Sequence, residues 1–200
     1  MSDTTDTKPA MSEVEASLNA RLRPIRVSEY EALIELGAFE RERVELIRGR
    51  VVAMGPQSEE HSWVSGALTN LLVEYFGKRA TVRVASSFRV GEDSMPEPDF
   101  ALVPRTPAPG PRPTRAFLLI EVAKTSLRDD RLVKAPLYAE GAAPEYWIVN
   151  VAESKLEVYR SPRDGTWQEH FVLTAADTIR PVAFPDVELP LKDFLVSSTH

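Results

Sequence analysis

Apolar and polar positions follow two periods along this chain. The helical period is clearest between Ser58 and Gly77. There Trp63, Val64, Ala67, Leu68, Leu71, Leu72, Tyr75 and Phe76 make one apolar face, Glu59 and Glu60 suit the positive end of the helix dipole, and Gly77 is a stop. A shorter helix is predicted over Glu29 to Leu36, with Ser28 as its cap and Gly37 behind it. A third lies within Asp129 to Glu140, where Pro136 must occupy an early turn or bend the axis. Alternating or continuous apolar runs mark the strands. Val44, Leu46, Val51 and Val52 flank a tight turn at Gly49; TVRVASSFRV, PDFALV, FLLIEVA, EYWIVNV, KLEVYR and WQEHFVLT follow. Leu191 to Leu195 is a last helical turn. The order α-β-β-α-β-β-β-α-β-β-β predicts a mixed α/β fold on one central sheet, with Tyr138, Tyr146 and Trp147 in its core.

Residues 1–24 show no period and are rich in Ser, Thr, Asp and Ala, so a flexible tail is expected ahead of one domain over 25–197. With 43% hydrophobic and 27% charged residues, the composition is that of an ordinary globular protein. Cysteine is absent, which excludes disulfides and thiolate metal sites and suits a reducing cytoplasm. No apolar run approaches the roughly 18 residues of a membrane helix, and the N-terminus lacks the apolar core of a signal peptide. The net charge of −6 counts against a non-specific nucleic-acid binder. The charge is uneven, however: residues 105–134 carry +4 and the remainder −10, which leaves open both a local basic face and a solvated surface mixture.

One carboxylate stands against the hydrophobic pattern. FLLIEVAKTS reads as a strand buried on both faces, yet it contains Glu121. An unpaired charge there costs several kcal/mol at roughly the least. A cation partner, a metal, or water at the strand's edge must hold it. Asp99, after Pro98 at the start of PDFALV, projects at the same sheet end if the two strands are neighbours. Paired carboxylates with one backbone carbonyl and several waters are what Mg²⁺ requires.

At these residues the chain resembles a known family. Pro98-Asp99, Glu121-Val122 and a basic residue soon after resemble the PD-(D/E)xK nuclease superfamily. More narrowly, YEALIELGAFERERVELIRGRVVAMGPQSEEH, PEPDFALV and IEVAKTSLRDDRLVKAPLYAEGAAPEYWIVN, in that order, are similar to the Uma-type restriction endonuclease family, from about Tyr30 to Leu195. The resemblance implies a restriction endonuclease-like core, a central mixed β-sheet flanked by helices. It implies Mg²⁺, with Mn²⁺ as a substitute, held by Asp99, Glu121 and the Val122 carbonyl. It implies that Glu45 points to the same site, that His61 lies near the cleft, that DNA is the substrate and that the protein is a homodimer.

The chain departs from the superfamily where a lysine is expected two residues after the second acid. Position 123 is alanine, and Lys124 falls on the opposite strand face. The family supplies its lysine from the next helix, where Lys134 stands one turn after Asp130. Lys134 is therefore placed ahead of Lys124 as the catalytic lysine. Arg48 and Lys124 add positive charge where the family more often has acidic or polar residues. Arg112, Arg115 and Arg128 are candidates for phosphate contacts. The rival expectation is a binding or assembly module on a nuclease fold that has lost its chemistry. Serine, cysteine, zinc and P-loop chemistries lack their motifs.

Overall fold

The computed structural model describes residues 21–108, 110–141 and 143–195. Residues 1–20, which make up most of the expected tail, and 196–197 at the expected domain end lie outside the described residues. Helix α1 (Val27–Glu35) is followed by a hairpin, β1 (Val44–Ile47) and β2 (Arg50–Ala53), and then by α2 (Glu59–Phe76). Next come β3 (Thr81–Val84), β4 (Phe100–Val103) and β5 (Leu118–Ala123). A composite helix follows: α3 (Leu127–Asp129), a π turn (Asp130–Lys134) and α4 (Ala135–Ala139). Strands β6 (Glu145–Asn150), β7 (Lys155–Arg163) and β8 (Thr166–Thr174) complete the main sheet. A small pair, β9 (Thr178–Ile179) and β10 (Leu189–Pro190), precedes a 3₁₀ turn at Leu191–Asp193.

The six-stranded sheet runs β3-β4-β5-β6-β7-β8. Its centre is mixed: β5 is antiparallel to β4 and parallel to β6. Every residue of β4, β5 and β6 is buried, as their largely apolar runs require, with Glu121, Glu145 and Asn150 the polar exceptions. Helix α2 packs Val64, Leu68, Leu72 and Phe76 on one face against Phe100, Ile120 and Trp147. Helix α4 covers the other face, where Leu137 and Tyr138 meet Leu119, Tyr146 and Ile148. Burying each such large side chain contributes roughly 1.5–3 kcal/mol. Tyr138, Tyr146 and Trp147 are fully enclosed. Among the described residues no helix is long and apolar enough to cross a membrane.

The structure departs from the pattern-based expectations in three places. Helix α1 starts at Val27, because the Glu29 carboxylate reaches back to the Arg26 N–H at 2.8 Å; Ser28 is inside the helix. Trp63, at 56% exposure, and Tyr75 fall off the buried stripe of α2. Strand β3 stops at Val84 because Ala85 adopts φ 41°. Pro136 sits in the first turn of α4, as expected, with a wide π turn just before it. A proline ring clashes with the carbonyl four residues back in a regular helix, and a π turn relieves that clash.

Candidate active site

Strand register decides which acids meet. Phe100 pairs with Ile120, so Asp99 and Glu121 emerge on one sheet face at the end where β4 begins and β5 ends. Continuing that register sets Pro98 opposite Val122. The Val122 N–H points to the β4 edge, where it donates to Asp99 Oδ2 at 2.8 Å. The carbonyl of a strand residue points to the same edge as its N–H. Proline has no N–H to return, so the Val122 carbonyl receives no ladder hydrogen bond from that position.

The β1–β2 hairpin adds a third acid. Leu46 and Met95 exchange backbone hydrogen bonds, with Leu46 N–H donating at 3.3 Å and Met95 N–H at 2.7 Å. That bridge lays Glu45 beside the segment leading into Asp99, and Glu97 N–H donates to Glu45 Oε2 at 3.1 Å. The π turn supplies the cation. Lys134 Nζ lies 3.0 Å from Glu121 Oε1, 3.5 Å from Glu45 Oε2 and 3.9 Å from Asp130 Oδ1. Tyr138, one helical turn on, donates its hydroxyl to the same Glu121 oxygen at 2.9 Å. Glu121, only 3% exposed, is thus held by an ammonium and a phenol. His61, at the start of α2, places Nε2 3.2 Å from Asp99 Oδ1. Its N–H is fixed by the Ser58 cap at 3.2 Å.

Burial and crowding of like charge perturb these groups. Burial pushes the Glu121 carboxyl well above the usual carboxylate range; Lys134 opposes that, while Asp130, Asp99 and Glu45 add to it. Burial raises Asp130 to about 6, although Lys134 and the Ser126 hydroxyl, 2.7 Å away, pull it down. Burial disfavours the Lys134 ammonium, but Glu121, Glu45 and Asp130 outweigh that and keep it charged. Burial, then the Glu121 charge, raises the Tyr138 hydroxyl well above its ordinary value.

Among the described residues no group of three or more His, Asp or Glu side chains is spaced to hold a metal ion. Asp99, Glu121 and Val122 line one cavity, and two carboxylates with a backbone carbonyl are a donor set of the type a hard cation takes when it keeps much of its water. Lys134 stands among the acids, whereas Lys124 pairs with Glu60 at 2.6 Å on the other side of the strand. Arg48 is engaged with Glu140 at the end of α4 and does not line the cavity. Arg112 is paired with Glu31, Arg115 and Arg128 are exposed, and none of the three lines the cavity above the acids. Asp130 and Tyr138 are the site residues that sequence reasoning left out of its site. Their signal was the four-residue spacing Asp130-Lys134-Tyr138, which puts one face of the helix over Glu121.

Residues 27–192 match the model of the family described as "Uma2: Putative restriction endonuclease". A solved structure described as a "putative nuclease belonging to DUF820", from Anabaena variabilis, is similar at 18% identity and a TM-score of 0.69, covering 86% of this chain and 98% of that one. That likeness shows the fold, and the expected restriction endonuclease-like core with its central mixed sheet is borne out. The type IIG restriction endonuclease BpuSI aligns at 15% identity over 58% of this chain and 14% of its own, with a TM-score of 0.36, too low to carry an argument. No curated protein matches.

Proposed function

The chain belongs to the Uma2 family, and we propose that it is a metal-dependent endonuclease that hydrolyses phosphodiester bonds of DNA. The observation that carries this reading is the convergence of Asp99, Glu121 and Lys134 at one end of the sheet, beside a backbone carbonyl that the ladder leaves open. Asp99, Glu121 and the Val122 carbonyl are the groups that would hold Mg²⁺, or Mn²⁺ in its place. When bound, the ion supplies a more acidic water and a counter-charge for the scissile phosphate.

The chain's own residues do the rest. His61 and the Val122 N–H fix both oxygens of Asp99. Tyr138 holds the rotamer of Glu121. Lys134 is a preorganised cation at the position where negative charge develops, and losing such a group typically costs about 10²–10³ in rate. Glu45 steadies Lys134 from the hairpin side. The same reading takes the protein as a homodimer acting in the cytoplasm, with Arg112, Arg115 and Arg128 touching phosphates away from the chemistry; family likeness and the oxygen donor set are what support it.

Asp99→Ala and Glu121→Ala are each expected to abolish Mg²⁺-dependent cleavage of plasmid and oligonucleotide DNA, with circular dichroism unchanged. Full activity in either folded variant overturns the assignment. A second reading is favoured by one specific observation: Ala123 stands where the superfamily has its lysine, and an ammonium already neutralises Glu121. On that reading the fold is a binding or assembly module without chemistry. It is selected if calorimetry shows no Mg²⁺ or Mn²⁺ binding and function survives loss of both acids.

A further inference from the structure

The cavity over the acids has two unlike walls. One carries Glu121, Asp99, Lys134 and Glu45. The other is built from β2 and the loop after it, Val52, Ala53, Met54 and Pro56, with Val133 contributed by the π turn. Among the described residues, Val52, Ala53, Met54, Pro56 and Val133 belong to no core cluster. All four residues of β2 are exposed, Val52 is 42% exposed and Val133 39%. Gly55, also in the wall, has no positive φ, and a Cβ there would meet nothing within 4 Å. Its backbone does not require glycine, and the space beside it is open.

Charge narrows what fits. Apart from Lys134, the cations on the cavity walls are Arg43 and Lys124, and each is already paired, with Glu97 and Glu60 respectively. The cavity therefore presents little free positive charge for the two phosphate backbones of a duplex, whose binding depends on such charge. An apolar wall desolvates phosphates without return, but it suits the faces of bases and sugars. The cavity volume of about 410 Å³ falls in the range of roughly 300–1,000 Å³ typical of pockets for small ligands. That is the scale of one unstacked nucleotide.

We propose that the apolar wall of Val52, Met54 and Val133 receives an unstacked base, so that the preferred substrate is single-stranded DNA or a single-stranded junction, not continuous duplex. The inference rests on the proposed function only in taking the carboxylate wall as the place of the scissile phosphate. Aliphatic side chains offer a base apolar contact and no hydrogen-bond readout, so the contact depends little on which base it is.

The test is fluorescence anisotropy on the full chain, with a labelled single strand of about 12 nucleotides, within the site sizes of single-strand binders, and a hairpin duplex of the same sequence. Each is titrated with Ca²⁺ replacing Mg²⁺ and again in EDTA. The single strand is expected to bind at least about tenfold tighter, and Val52→Thr or Val133→Thr to weaken that preference without changing the melting temperature. Both positions are exposed, and threonine keeps the β-branched shape without setting a charge opposite Glu45, the cross-strand partner of Val52, so these variants fold. Equal or tighter duplex binding, no binding of either strand, or undiminished single-strand affinity in both variants overturns the inference. A strand preference that persists without any Mg²⁺-dependent cleavage retains the inference and overturns the nuclease reading instead.

Discussion

Asp130→Asn is expected to stabilise this protein above pH 6 and to leave its stability unchanged below about pH 4. The side chain is 1% exposed, and its best neutral partner is the Ser126 hydroxyl. Its carboxyl is raised from 3.8 to about 6, chiefly by burial. The sign follows from proton counting. Between those two values the folded state holds a proton that the unfolded state has released, so stability falls as pH rises. Below pH 3.8 the acid is neutral in both states and contributes nothing of this kind. Above pH 6 it is charged in both, and the full cost of burying the charge stands. A rise of this size corresponds to about 3 kcal/mol, at about 1.36 kcal/mol per tenfold change in acidity. Asparagine has the shape of the neutral acid and still accepts from Ser126. Urea unfolding of both proteins at pH 4 and pH 8 measures the difference directly. A variant equal to or less stable than the parent at pH 8 refutes the reasoning, because the attraction to Lys134 would then exceed the cost of burial.

Two further substitutions probe the same frame. Lys134→Met leaves Glu121, Glu45 and Asp130 without their shared cation and is expected to cost about 3–5 kcal/mol at pH 8, with a smaller loss at pH 5, where Glu121 and Asp130, both raised by burial, take up protons; urea unfolding at the two pH values decides it. Gly49→Ala forces a Cβ into Pro24 at φ 71° and is expected to cost at least about 1–2 kcal/mol, read as a lowered midpoint in thermal melting.

The parts of this protein that local pattern controls were legible in its sequence. FLLIEVA announced a buried strand because both of its faces are covered, and the apolar stripe of α2 fixed which side of the helix meets the sheet. The succession of elements then placed Asp99, Glu121 and Lys134 near one another, as the family resemblance implied. What escaped was set by partners distant in sequence. Glu45 was named for the site by the family resemblance alone, because the Leu46–Met95 bridge that positions it has no local signal. Arg112 finds Glu31 across 81 residues. Tyr138 was assigned to the core, correctly by burial, but a buried phenol must also satisfy its hydroxyl, and it does so on Glu121. The π turn was signalled only as an awkward proline at 136.

Pro98 matters through what it withholds. Any other residue there would offer an N–H to Val122, and the two strands would zip one rung further. Such a chain would gain a hydrogen bond and occupy the Val122 carbonyl. The imino acid ahead of the aspartate is thus a stop in the weave of the sheet, leaving one carbonyl outside the ladder.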